Sequence, residues 1–303
     1  MTCAPEIEDE EHDDLHFSNH MLAGAVAGTL EHTLMFPVDT VKTRMQALAH
    51  PGQRLHGVPT FRAVQAVLRR EGIRGLYGGV AAAGLGAGPS HAVHFAVYEA
   101  AKRWLGSSAE TGFAGAALSG ATATIVSDAC MTPFDVIKQR LQVAHSPYRG
   151  FVDCLRRTVQ QDGVSALFKS YPTTLLMNIP FMAIYFASYE GSKQSLIDYA
   201  HGEETLLIQG VAGGLAGGAA AALTTPLDVV KTRLQLEGVS SPVRYVSMNV
   251  VSTMRHIALA EGHKALWAGL RPRVLFHVPA AAITWSSYET MKLLLRDRSL
   301  TAA

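Results

Sequence analysis

The 303-residue chain is 48% hydrophobic and 17% charged, with 27 Gly, 13 Pro and three Cys, and its mean hydropathy is +0.14. This excludes a disordered chain, a collagen and a disulfide-framed secreted domain, and a charged share below the roughly 25% of soluble domains favours a membrane protein. The net charge of +1 hides an asymmetry: seven of the 25 acids (Glu6, Glu8, Asp9, Glu10, Glu11, Asp13, Asp14) lie in residues 1–16, so the rest holds 26 bases against 18 acids, a formal +8. Such a body suits an anionic lipid surface, and no nucleic-acid partner is expected.

Residues 1–17 read as an acidic tail without the basic start and apolar core of a cleavable targeting segment. An apolar region follows at 21–38, interrupted only by Glu31, and uncharged stretches run over 80–98, 111–127, 170–189, 205–227 and 274–288. Each is near the roughly 20 residues that a helix needs to cross a bilayer. Six spans place both ends of the bundle on one side. Several carry Gly, Pro or polar residues in mid-run, so hydropathy alone marks them weakly. Loops are expected near Pro51-Gly52, Ser146-Pro147 and Ser241-Pro242, with amphipathic stretches at about 60–71, 151–162 and 248–261. Cys3, Cys130 and Cys154 are too scattered for a disulfide frame or a zinc site.

The chain repeats itself. Pro37-Val38-Asp39-Thr40-Val41-Lys42-Thr43-Arg44-Met45-Gln46 recurs at Pro133–Gln142 and at Pro226–Gln235, offset by 96 and then 93 residues. Each copy is followed by an acid-Gly pair and an aromatic: Glu71-Gly72 with Tyr77, Asp162-Gly163 with Phe168, Glu261-Gly262 with Trp267. Each unit closes on Tyr-Glu-x-x-Lys: Tyr98, Glu99, Lys102; Tyr189, Glu190, Lys193; Tyr288, Glu289, Lys292. Pro37, Pro133 and Pro226 each remove a backbone donor and kink their helix. The Asp and Lys three apart share a helical face, so each repeat can offer its acid to a neighbour's base.

These motifs resemble the mitochondrial carrier family over roughly residues 18–298. The resemblance implies an all-α membrane protein, with six transmembrane helices in three pseudo-threefold repeats (18–106, 107–200, 201–298), each with a short matrix-side helix. It implies one alternating-access transporter, monomeric, in the mitochondrial inner membrane, with cardiolipin among its lipid partners; a plastid envelope stays open. The family pattern pairs Asp39 with Lys138, Asp135 with Lys231 and Asp228 with Lys42 at a matrix gate, with Gln46, Gln142 and Gln235 as braces. Tyr98, Glu99, Lys102, Tyr189, Glu190, Lys193, Tyr288, Glu289 and Lys292 fall at the cytoplasmic gate. Read as exposed pairs, such ions are worth about 0.2–1 kcal/mol each, weak enough for cargo to open. The base that the family often places beside each aromatic is kept only at Lys169; Gly78 and Ala268 replace it.

An asymmetric cargo must be read where the repeats differ. Eleven and twelve residues before each closing tyrosine, about three turns from the gate, the repeats carry Gly86-Ala87, Met177-Asn178 and Phe276-His277, the family's substrate contact points. No Lys or Arg stands there and Arg273 is the nearest cation, which argues against anionic metabolites. Five before each proline stand His32, Asp128 and Ala221. Imidazole, carboxylate, amide and thioether donors suit a first-row dication held transiently, while His94 reads as a packing residue. Glu31–Pro37, Gly86–Ala92, Ser127–Pro133 and Leu175–Phe181 resemble the mitoferrin branch, which implies Fe²⁺ as transported substrate and no tightly bound cofactor. Carried over, His32, His91, Met177 and Asn178 line the iron path, with Asp128 and Met35 secondary. His277 departs from the branch, where a neutral polar residue is expected. The alternatives are a carrier of another cationic or cofactor substrate such as S-adenosylmethionine, and a membrane metal-dependent enzyme, for which no His-Glu-x-x-His motif is present.

Overall fold

A computed structural model describes residues 17–47, 59–104, 112–144, 146–199, 205–237 and 249–277, and positions 279, 280, 283, 287 and 290 of the last helix. Residues 1–16 of the acidic tail, with Cys3, and the gate residues Tyr288, Glu289 and Lys292 lie outside them. The chain runs long, short, long three times: α1 (Phe17–Gln46), α2 (Thr60–Leu76) and α3 (Val80–Trp104); α4 (Gly112–Gln142), α5 (Phe151–Asp162) and α6 (Tyr171–Tyr199); α7 (Leu206–Gln235), α8 (Val250–Glu261) and α9, helical over 270–277. The five long helices α1, α3, α4, α6 and α7 have 25–31 residues, or roughly 37–46 Å at 1.5 Å per residue.

Each of these five carries one internal proline: Pro37, Pro89, Pro133, Pro180 or Pro226. Before two of them a threonine hydroxyl folds back onto the preceding turn. Thr132 donates to the Asp128 carbonyl at 2.6 Å and Thr225 to that of Ala221 at 2.7 Å, a back-bond to the i−4 carbonyl of the kind that bends helices.

The acid-Gly pairs end α5 and α8 and kink α2. Gly72, Gly163 and Gly262 have φ of 69°, 80° and 87°, the left-handed conformation that a side chain disfavours and that stops a helix. At two of them the glycine N–H closes the last turn, Gly163 on Val159 and Gly262 on Ala258. Each short helix then packs its apolar stripe onto the proline helix of its own repeat: Ala63 and Val67 on Val41 and Met45, Cys154 on Val136 and Ile137, Ile257 on Val229 and Val230. One further cluster crosses all three repeats. Ala47, Val143 and Leu236, each the residue after the repeated glutamine, are buried against one another, so the pseudo-threefold axis passes between them.

Among the described residues, no helix is long and apolar enough, as a continuous run, to cross a membrane. The apolar surface is distributed instead. Leu30 and Leu34 on α1, Leu118 and Ile125 on α4, and Leu215 and Leu223 on α7 are exposed at helical spacings of four, seven and eight residues, one face per helix. Thr, Ser, Gly and Gln fill the remaining faces and lower the average over any window. Exposed apolar faces on several long helices are unusual for a surface in water.

Gly163 and Gly191 give substitutions of opposite sign. Gly191 lies inside α6, where an added Cβ meets nothing within 4 Å, so Gly191→Ala should stabilise by about 0.5–1 kcal/mol. Gly163→Ala should destabilise by about 1 kcal/mol or more, because its φ is positive. Melting of the purified protein in detergent checks both; shifts of the same sign would contradict this reading of the glycines.

Candidate functional site

The repeated Asp and Lys side chains meet at the end of the bundle that Ala47, Val143 and Leu236 close. Lys138 Nζ lies 2.7 Å from Asp39, Lys42 Nζ 2.9 Å from Asp228 and Lys231 Nζ 3.4 Å from Asp135, so each bridge joins different repeats. The six side chains are only 7–26% exposed. The value expected for exposed pairs therefore understates them: removing one partner of a buried pair costs about 3–5 kcal/mol. Lys138 also stands 5.4 Å above the Phe36 ring, and Phe36 stacks on Tyr77 at 6.0 Å.

Two of the three glutamines brace the ring. Gln142 Nε2 donates to Asp39 at 3.0 Å and Gln46 Nε2 to Asp228 at 2.7 Å, while their amide oxygens accept from Thr43 and Thr232. Gln235 does not: both polar atoms of its amide are buried without a partner. The arrangement of the other two would direct it to Asp135, and that carboxylate is the most exposed of the three, in the longest pair. The ring is therefore loosest between the second and third repeats. A different contact ties them nearby, where Lys169 pairs with Glu237 and Arg140 Nη2 donates to the Glu237 carbonyl at 3.0 Å. Lys169, the one base kept beside the aromatic, thus holds a carboxylate.

Asp228 is the most heavily engaged member. Besides Lys42 and Gln46 it receives Arg273 Nη1 at 2.5 Å. The same guanidinium donates to Thr224 Oγ1 at 2.8 Å and reaches the Met177 sulfur at 3.9 and 4.0 Å. Beside Met177, Asn178 Nδ2 donates to Asp128 Oδ2 at 2.6 Å. The carboxylate five before Pro133 and the amide of the second contact point are therefore brought together across α4 and α6. His277 is directed elsewhere. Its ring packs so closely on Gly217 of α7 that an added Cβ would stand 2.8 Å from Nδ1, and it lies 6.0 Å from the Phe181 ring. Gly86 serves close packing too: Phe134 Cβ and Cγ and the Met131 sulfur approach to within 2.6–2.9 Å of its absent Cβ, next to half-buried Ala87. Met35 is buried, and His32 and His91 have exposed side chains. His94 bonds Ser127 Oγ at 3.3 Å.

Among the described residues no three of His, Cys, Asp or Glu converge as a metal-holding group. Cys154 is buried, and desolvation pushes its thiol up to about 11, which removes it as a thiolate ligand near neutral pH. Toward the opposite end of α3 and α6, Glu99, Lys102 and Glu190 are exposed while Tyr98, Tyr189 and Lys193 are half-buried, with Tyr189 stacked on Tyr185 at 6.2 Å.

One repeated set went unread in the motifs. Arg44 grips Glu71 through two bonds of 2.7 Å, Arg233 grips Glu261 at 2.9 and 3.0 Å, and Arg140 meets Asp162 at 3.0 Å. These contacts tie each short helix to its proline helix, as two-bond forks at Arg44 and Arg233 and through Asp162 and Thr158 at Arg140. Their signal was available, since an arginine two after each lysine recurs in phase with the acid-Gly pair. Arg44 and Arg140 also donate to the backbone carbonyls of Gln142 and Gln235 at 2.8 and 3.1 Å, the glutamines of the next repeat.

A family model described as "Mitochondrial carrier protein" matches residues 13–109, 109–200 and 202–299. The chain is 38% identical to Mitoferrin of Dictyostelium discoideum, covering 93% of this chain and 95% of that protein. It is 40% identical to Mitoferrin-1 of Danio rerio, covering 96% and 90%, and 38% identical to Mitoferrin-1 of Homo sapiens, covering 93% and 85%.

The unequal ring makes an ordered prediction. Asp228→Asn strands two cations, Asp39→Asn strands Lys138 beside its braced amide, and Asp135→Asn releases only the longest pair. The loss in detergent melting temperature should follow Asp228 > Asp39 > Asp135, with the first near the upper part of the roughly 3–5 kcal/mol range. Equal losses would contradict the inequality.

Proposed function

Because the chain belongs to the mitochondrial carrier family, we propose that it is a multi-pass carrier of the mitochondrial inner membrane that imports ferrous iron into the matrix by alternating access. Its similarity to mitoferrins over more than nine-tenths of its length supports that choice of branch. The observation that carries the cargo is the donor set where the repeats differ. The Asp128 carboxylate and the Asn178 amide meet at 2.6 Å, with Met177 the residue before Asn178, and oxygen and thioether donors together suit a soft-to-borderline dication. A two-group site with one sulfur binds weakly enough to release, which transport requires.

In this reading the Asp39–Lys138, Asp135–Lys231 and Asp228–Lys42 pairs are the matrix gate, braced by Gln46 and Gln142, and the three proline kinks are where the odd helices bend. Glu99, Lys102, Glu190 and Lys193, together with Tyr98 and Tyr189, belong to the cytoplasmic gate. The closed ring and the exposed charges at the other end support a state open toward the cytoplasm. His32 and His91, exposed on α1 and α3, stand as the first ligands the ion meets; Asp128, Asn178 and Met177 receive it. Ion and protein exchange ligands without covalent chemistry, so the protein acts as a transporter and not an enzyme, without a tightly held cofactor. The bilayer, with cardiolipin at its matrix leaflet, is its surroundings, and a single chain suffices for the path.

Purified carrier in liposomes, with iron kept reduced, should accumulate Fe²⁺. His32→Ala, Asp128→Asn and Asn178→Ala should each lower initial uptake about tenfold or more, the loss of one ligand-scale interaction. No accumulation by the unaltered carrier would refute the substrate; full uptake by these variants would refute the site.

A further inference from the structure

We infer that Arg273 is a tethered cation occupying the cargo's donors, and that an arriving dication opens the matrix ring by displacing it from the Met177 sulfur. The inference rests on the iron reading above. Fifteen residues before the closing tyrosine the three repeats carry Ala83, Thr174 and Arg273, so one repeat alone supplies a charge at this depth. Its guanidinium is buried and joins two places otherwise separate. On one side Nη1 is 2.5 Å from Asp228, a member of the ring. On the other both terminal nitrogens lie 3.9–4.0 Å from the Met177 sulfur, next to the Asn178 that holds Asp128.

Charge makes that junction unstable toward a cation. With Arg273 included, four bases (Lys42, Lys138, Lys231 and Arg273) face three ring acids (Asp39, Asp135 and Asp228), and Asp228 alone bears two of them. A dication taking the Met177 sulfur, with Asp128 and Asn178, would stand about as close to the guanidinium as the sulfur does now. At such a range in a partly buried site, repulsion between cations is strong. The two cannot share the sulfur. Arg273 must swing away, and Asp228 is left with Lys42 and Gln46 alone. The cargo's binding energy is thereby spent on loosening the ring instead of on affinity. An anion at the same point would attract Arg273 instead of displacing it from the site. Arg273 accordingly selects for cations at the gate-opening step and acts as a positioning residue, coupling site to gate.

The test is uptake kinetics of the full-length carrier in liposomes with reduced Fe²⁺. In Arg273→Gln the competitor is gone, so KM should fall about tenfold, while the maximal rate also falls because binding no longer perturbs Asp228. Arg273→Lys keeps a charge for Asp228, but one ammonium cannot also reach the sulfur; its KM should fall about threefold, one such contact being freed. In a Met177→Leu background, Arg273→Gln should leave KM unchanged. A fold defect would depress rate without tightening KM, and if Arg273→Gln is not recovered folded, Arg273→Lys carries the test. An unchanged or higher KM in the folded variants, or an equal fall in the Met177→Leu background, would overturn the coupling alone. No uptake by the unaltered carrier would overturn the iron reading beneath it.

Discussion

A carboxylate on one repeat held by a lysine on the next is the contact on which the rest of the molecule depends. The buried apolar clusters join each short helix to its own proline helix, and that of the second repeat also takes in Ala82 of α3. The described contacts that cross between repeats at this end are polar apart from Ala82 and the Ala47–Val143–Leu236 plug: three ion pairs, two glutamine braces, the Arg44 and Arg140 bonds to the Gln142 and Gln235 carbonyls, and the Lys169–Glu237 pair. Buried charge is a poor source of net stability but a costly thing to strand. A bundle closed by such pairs holds a definite shape while keeping an alternative shape within reach, provided that each ion finds another partner or water when the pairs part. An apolar seam of equal area would have no comparable means of separating.

The ring is threefold in sequence and unequal in strength. Among the described residues, Asp228 collects Lys42, Gln46 and Arg273, Asp39 has Lys138 and Gln142, and Asp135 has only Lys231 at 3.4 Å. The weak corner coincides with the unpartnered amide of Gln235 and is flanked by the Lys169–Glu237 pair. The strong corner is the one linked to Met177. In the proposed reading, cargo chemistry enters an almost symmetric scaffold at its most heavily charged acid, while the contacts from Arg44, Arg140 and Arg233 tie each short helix to its own proline helix.

Much of this was legible because repetition in sequence is repetition in space. The 96- and 93-residue offsets, the acid-Gly helix ends and the Asp–Lys spacing prescribe three equivalent units, and the partner of each aspartate follows once the units are placed around an axis. What stayed hidden depends on contacts between unlike positions. Nothing in the spelling of Phe276-His277 says that the imidazole turns onto Gly217, a packing decision made by the missing Cβ on α7. Arg273 stood out as the nearest cation, yet its reach to both Asp228 and Met177 is set by how α9 lies against α6 and α7. Hydropathy was muted for a physical reason also, since each long helix devotes one face to apolar exposure and the rest to small and polar packing.

The central claim is that the closed end is a gate that must open for cargo to pass. Ala47 and Val143 lie outside the ion pairs but inside the plug, so cysteines at both positions, in a carrier freed of its three native thiols, can cross-link that end without removing a charge. Reconstituted Ala47→Cys/Val143→Cys protein should transport Fe²⁺ when reduced, lose transport on oxidation and regain it on reduction. Undiminished uptake by the fully cross-linked protein would contradict the account.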